Sequence, residues 1–286
     1  MSTPFIGTGI ARLMEKYPDQ YTAAVERHLS ALDAYYGGDP QRLRMARDAF
    51  VEMTFEMLRM QSRFFKTGEF SLSESEKAET LADAARMEGH YLTGLFLAAV
   101  FWQNHFEKMI YFEGTVLPLL PEKPKVLDIG PGSGLFTALT LLHRPKAMVT
   151  VNDLSPFSEP LVLGLRFGDF PSKPKFILGA YPEAVSRQGE IFDFIIFSDV
   201  IEHLQDPPAG MNALKSLLTA DGIVFFATAT NAAFYDHSMV FEGTDEIEAL
   251  IAQQGFRSDC VTEIPVFKNP DGRITLDYLA VLSRTA

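Results

Sequence analysis

The sequence predicts an α/β fold: a mostly parallel sheet with helices on both faces, preceded by an all-helical region. Three observations carry this. From Lys125 onwards, short β-forming runs alternate with helical patterns, as a parallel sheet covered on both faces requires. The stretch Val126 to Gly134, VLDIGPGSG, reads as a strand, a tight glycine turn and the start of a helix over Leu135 to Leu142. Residues before about 103 show the three-and-four spacing of helices instead.

The helical region begins its clearest element at Asp39-Pro40, an N-cap followed by proline at the first helical position. Leu43, Ala46, Phe50, Met53, Met57, Met60 and Phe64 then mark one apolar face. Its methionines read as core filling rather than a binding surface, because methionine adapts to irregular gaps. Lys66-Thr67-Gly68 ends the run, and Ser73 with Glu76 forms a capping box for the next helix. That helix carries Leu81, Ala85, Tyr91, Leu92 and Leu95 towards an aromatic cluster around Phe101, Trp102 and Phe106. Pro118, Pro121 and Pro124 break the helical pattern ahead of the first strand.

Strands are expected at Val126–Ile129, Met148–Asn152, Lys175–Leu178, Phe192–Phe197, Gly222–Ala227, Cys260–Phe267 and Leu276–Ser283. Ser155-Pro156 is the expected start of the helix after the second strand. Thr244, Asp245 and Glu246 open another helix. Only Lys268 to Ile274 separate the last two strands, which suits a hairpin.

Composition narrows the function. Hydrophobic residues make up 47% of the 286, enough for a sizeable core. No apolar run reaches the roughly 18 residues of a bilayer span. The first residues show no basic-then-apolar signal pattern, and the single cysteine, Cys260, makes neither an internal disulfide nor a cysteine metal cluster. A cytoplasmic location is the expectation. A net charge of −12 with no basic block argues against nucleic acid as partner and for a small-molecule substrate.

The glycine turn is the first chemical feature. Glycine admits positive φ and lets a ligand approach bare backbone, and the helix behind it offers free N–H groups. The dinucleotide pattern G-x-G-x-x-G/A fails here, since Leu135 occupies its sixth position. Asp153 ends the second strand about 20 residues beyond the turn, where a carboxylate can accept both ribose hydroxyls. Asn152 is a second candidate, and the competing reading of Asp153 is a solvated strand-end acid. Asp199, Glu202, His203 and Asp206 cluster after the fourth strand and can also be read as metal ligands.

Taken in order, these motifs resemble the class I S-adenosylmethionine-dependent methyltransferases, small-molecule type, over Asn104 to Ser283. Asp128 to Gly134, acid-x-G-x-G-x-G, is similar to that family's motif I. Asp199-Val200-Ile201-Glu202-His203-Leu204-Gln205-Asp206-Pro207 resembles its run after the fourth strand, a pattern found in metal-independent relatives, so no metal is expected. Asn231, His237, Phe241 and Gly255-Phe256 match its pattern after the fifth strand. Two positions depart from it: Ala180 stands where an adenine-binding acid is frequent, and Thr230 where proline is frequent.

The resemblance implies a Rossmann-like seven-stranded sheet with an antiparallel last strand and an N-terminal helical cap. The boundary falls at residues 1–103 for the cap and 104–286 for the cofactor-binding domain. Asp128, Gly130, Pro131, Gly132 and Gly134 would hold S-adenosylmethionine, with Asp153 and Leu154 at the nucleoside. Ala180 and Tyr181 would flank the adenine, and Ser198, Asp199 and Val200 the amino-acid tail. Trp102, Glu202, His203, Asn231, Tyr235 and His237 are the implied acceptor contacts, with His237, His203 and Tyr235 as catalytic candidates. His237 is either a base or an orienting group, and His203 either catalytic or structural. The implied reaction yields S-adenosylhomocysteine and a methylated metabolite. Self-association, if present, is expected through the N-terminal helices. Two other readings compete: a nucleotide-dependent oxidoreductase on a similar sheet, and a cofactor-binding protein without catalysis.

Overall fold

A computed structural model describes residues 4–69, 75, 79, 83, 86–168, 173–234 and 236–285. The expected capping box at Ser73 and Glu76, and the helical positions Leu81 and Ala85, lie outside the described residues.

The helical region contains α1 (Pro4–Lys16), α2 (Pro18–Tyr35) and α3 (Pro40–Thr67). α3 begins as its sequence predicts: the Gln41 N–H donates to the Asp39 carboxylate at 2.8 Å, and Pro40 follows the cap. It ends at Gly68, whose φ of 74° permits its N–H to reach the Phe64 carbonyl. Ala46, Phe50 and Met53 are buried on the expected face. Further along, Met57, Met60 and Phe64 are only partly covered, and Met57 borders a cavity. A wide helical turn (Met87–Leu92) leads into α4 (Thr93–Phe101). Trp102 adopts an extended conformation, and α5 (Gln103–Tyr111) starts in a new direction. Short turns over Phe112–Leu119 complete the approach to the sheet.

All seven expected strands form: β1 (Lys125–Ile129), β2 (Met148–Asp153), β3 (Lys175–Leu178), β4 (Phe192–Ser198), β5 (Leu218–Thr230), β6 (Phe256–Lys268) and β7 (Ile274–Arg284). Their order is β3-β2-β1-β4-β5-β7-β6. The first five run parallel, and β7 pairs antiparallel with both β5 and β6. Between them lie α6 (Leu135–His143), α7 (Ser158–Gly164), α8 (Glu183–Ser186), α9 (Pro207–Leu217) and α10 (Thr244–Gln253). α7 starts later than Ser155-Pro156 predicts: the Ser155 hydroxyl accepts from the Phe157 N–H, so those residues make a turn before the helix.

Alternation along β4 divides the core. Phe194 and Ile196 pack with Phe112 and Phe225 on one face, whereas Ile195 and Phe197 pack with Phe226 and Met211 on the other. Leu13, Tyr21 and Ala24 share the first of these clusters with Phe106 and Val126, so the helical region is packed onto the sheet through a common core. The strand order reverses at β1, which places the carboxyl ends of β1 and β4 side by side. That is where an open α/β sheet leaves a crevice for a ligand.

Candidate active site

A cavity of about 1320 Å³ opens there. Single small-molecule pockets run to roughly 300–1,000 Å³, so this one has room for two ligands.

One half is built at the glycine turn. Gly130, Gly132 and Gly134 all have positive φ, between 54° and 80°. A Cβ on Gly132 would stand 2.9 Å from the tip of Leu95 of the helical region, and its φ of 54° favours glycine there. Gly130, Pro131 and Gly132 line the cavity. Gly134 does not: it starts α6, and a Cβ there would meet the Val162 backbone at 2.9 Å. Gly134 thus lets α6 pack closely on α7. Asp128 is buried, accepts from the Thr137 hydroxyl at 2.6 Å, and is pushed by burial up to about 7.

Asp153 ends β2 at the cavity. One carboxylate oxygen accepts from the Ser155 N–H at 2.9 Å, and burial raises its pKa. Asn152 donates to the carbonyls of Ile177 and Gly179, which ties β2 to β3. Leu154 stands 62% exposed beside Asp153, and Ala180 and Tyr181 border the same end. The Tyr181 hydroxyl donates to the Gly210 carbonyl at 2.7 Å, which fixes its ring against Phe197.

Ser198, Asp199 and Val200 follow β4 into the cavity. Asp199 has a φ of 55°, strained for a residue with a side chain. Lys108 of α5, 3% exposed, donates to both Asp199 oxygens at 2.7 and 2.8 Å and lies 3.5 Å from Asp277 of β7. Asn104 donates to Asp277 at 3.0 Å. Burial opposes both charges of the pair, yet each prevails: Lys108 is held above its ordinary value by Asp199 and Asp277, and Asp199 is held below its own by Lys108. Lys108 and Asp277 belong to no sequence motif and look in sequence like ordinary positions on a helix and a strand.

The other half holds two histidines. The His203 and His237 rings meet edge to face at 4.9 Å. Burial and the neighbouring His203 push His237 down to about 4. Burial works in the same direction on His203, but Asp236, 3.5 Å from its Nδ1, and Glu202 together raise it. Glu202 is 5% exposed, accepts from the Thr228 hydroxyl at 3.0 Å, and is raised by burial to about 7. Glu202, His203 and His237 each bring a ligand-type atom within 4.8 Å of the others. Asp206 stands apart from them as the N-cap of α9, accepting from the Ala209 N–H. Met57, Tyr91, Leu95 and Trp102 supply an apolar wall opposite. Asn231 follows directly on β5. It is buried outside the cavity lining, and its Nδ2 donates to the carbonyls of Glu242 and Ile274, closing the base of the loop. Tyr235 lies outside the described residues.

The first half fits S-adenosylmethionine. Its bare backbone turn, the N-terminus of α6, the Asp153 carboxylate and an excess of carboxylate over ammonium around Asp199 suit a nucleoside carrying a cationic tail. Fold and cavity together define an α/β protein with a crevice suited to a nucleoside-type cofactor and with further space beside it.

Known proteins resolve the class further. Residues 101–257 match the family described as "Methyltransferase domain". The chain belongs to this family, the class I S-adenosylmethionine-dependent methyltransferases. It is 29% identical over 138 residues to a ubiquinone biosynthesis O-methyltransferase of Salmonella paratyphi A, covering 44% of this chain and 55% of that one. It is 27% identical over 117 residues to a malonyl-[acyl-carrier protein] O-methyltransferase of Magnetococcus marinus, covering 40% and 42%. The chain thus spans about half the length of the curated relatives it matches. An O-methyltransferase family protein from Burkholderia thailandensis shares the fold, with a TM-score of 0.53 at 13% identity over 83% of this chain and 72% of that one.

Proposed function

We propose that the protein methylates an oxygen or nitrogen nucleophile of a small-molecule metabolite at the expense of S-adenosylmethionine. The observation that carries this is the cavity itself, in which the glycine-turn half and the paired-histidine half are continuous. The bound cofactor would supply an already activated methyl group. What remains for the protein is to hold two ligands in line and exclude water.

Asp153 would accept the ribose hydroxyls, while Gly130, Pro131 and Gly132 cradle the chain beyond. Asp128 supports that turn through Thr137. Leu154, Ala180 and Tyr181 would flank the base. Ala180 brings no side-chain acceptor, so the adenine is gripped by apolar contact and backbone. Ser198, Asp199 and Val200 would meet the amino-acid tail, with Lys108 keeping Asp199 ionised.

Residues 1–103 would act as a cap that shapes the acceptor half, from 104 onwards the chain forming the cofactor-binding domain. Trp102 and Tyr91 offer flat apolar faces to an aromatic or apolar acceptor. His237, neutral down to about pH 4, is able to take a proton from a hydroxyl or amine. The His203 ring packs edge to face on it, and Ser238 ties its loop to the Glu202 and His203 carbonyls. The carboxylates on this side of the cavity disfavour an anionic acceptor. The reading calls for no metal: Glu202 is engaged by Thr228 and His203 by Asp236. Self-association through the N-terminal helices, which expose Met45 and Phe55, belongs to the same reading and is measurable by light scattering.

Among the described residues no helix is long and apolar enough to cross a membrane, and a cytoplasmic location belongs to this proposal. The test is transfer of labelled methyl from S-adenosylmethionine into metabolite extracts, with products identified by mass spectrometry. Labelled low-mass products lost with His237→Gln are expected. Label confined to protein or nucleic acid would overturn the small-molecule assignment.

A further inference from the structure

Gln61 lies on α3, far in sequence from the loop it touches. Its Nε2 donates to the Asn231 carbonyl at 2.7 Å, and the Ala233 N–H donates to its Oε1 at 2.9 Å. One side-chain amide thus pairs with the backbone on both sides of Ala232, as a neighbouring strand would. Gln61 is buried, so neither backbone group has ready access to bulk water in its place. A second contact from the helical region reinforces the first: the Tyr91 ring stacks on Phe234 at 6.0 Å. The far side of the loop is tied to the sheet domain. The Ser238 N–H donates to the Glu202 carbonyl at 2.7 Å, and its hydroxyl to the His203 carbonyl at 3.1 Å. His237 lies between these two anchorages.

We infer that Gln61 is a positioning residue: its amide clamps the backbone at Asn231 and Ala233 and so holds His237 over the acceptor half of the cavity. Its effect on catalysis rests on the methyl-transfer reading, but the clamp itself does not. The helical region would then do more than wall the pocket. It would set the geometry of the group facing the acceptor, so that displacing α3 displaces His237.

The experiment uses the full chain with Gln61→Met, which keeps the length and bulk of the side chain but makes neither bond. Amide exchange at Ala233 and Phe234 should become about tenfold to a hundredfold faster. The titration of His237, followed by NMR, should move from about 4 towards its ordinary value as the ring gains water. Affinity for S-adenosylhomocysteine should not change, because Gln61 touches none of the cofactor half. Gln61→Glu retains the acceptor for Ala233 but sets an oxygen against the Asn231 carbonyl, so it should give intermediate exchange. If Gln61→Met does not fold, Gln61→Glu carries the same readouts. A folded variant with unchanged exchange and unchanged His237 titration overturns the inference. Failure of the unaltered protein to bind S-adenosylhomocysteine would overturn the methyl-transfer reading instead, and exchange and titration would still decide the role of Gln61.

Discussion

The cofactor half of the cavity is assembled from strand ends that follow one another between Asp128 and Val200. The histidine half draws Gln61, Tyr91, Trp102, His203 and His237 from separate places along the chain. The first half works chiefly through backbone: positive-φ glycines, a helix N-terminus and one strand-end carboxylate. The second works through side chains whose positions depend on how the helical region meets the sheet. The difference teaches that the glycine-turn half rests on backbone conformations set by short stretches of sequence, whereas the histidine half rests on how the helical region meets the sheet. Lys108 stands at the joint, reaching from α5 to Asp199 of the cofactor half and Asp277 of β7.

The comparison breaks most readily at His237. If this residue is the base, His237→Gln should lower turnover about 10²–10⁴-fold while calorimetry shows unaltered cofactor affinity. The acidic limb of the pH–rate profile should lie near pH 4 in the unaltered protein, where burial places His237, and vanish in the variant. A smaller loss with the limb retained would reduce His237 to orientation.

Next comes the joint. Lys108→Met leaves two carboxylates without their cation and should cost about 3 kcal/mol in denaturant unfolding. Because Asp199 keeps 40% exposure towards the cavity, the loss should fall at the low end for a broken buried pair. A variant of undiminished stability would show that the halves are joined by apolar packing alone.

Asp153→Ala addresses the cofactor half in isolation. Losing its charge-assisted hydrogen bonds should weaken S-adenosylhomocysteine binding by about 1.5–3 kcal/mol, with the fold intact. Equal affinity in calorimetry would remove the ribose assignment.

The smallest effect concerns the helical region. His28 is fully buried, shares a hydrogen bond with the Ala24 carbonyl at 2.7 Å, and is pushed by burial down to about 4. A base whose folded pKa lies below its unfolded one binds more protons when unfolded. Its contribution is therefore fully present above about pH 6.5 and is lost as pH falls towards 4. Between pH 7 and 5 the loss should be about 2 kcal/mol. His28→Phe suits a ring already packed between Phe96 and Phe167, and should flatten this dependence in unfolding measured at both pH values.

The sequence by itself determined the seven strands, the helical region, the glycine turn and Asp153. Each depends on neighbours in the chain: alternation at period two, an apolar stripe at three and four, and a backbone conformation that glycine accepts without strain. Tertiary structure decided the rest. Lys108 looks like any solvated lysine until β4 and β7 bring Asp199 and Asp277 to it. Gln61 left one trace, a polar residue four positions after Met57 on the inward side of α3, but its partners lie far along the chain. Asn231 reads in sequence as the residue after β5, and it is the fold that brings the Glu242 and Ile274 carbonyls to its amide. A backbone turn is specified by the residues that make it. A buried ion pair or a side-chain clamp is specified only when the fold has removed both partners from water.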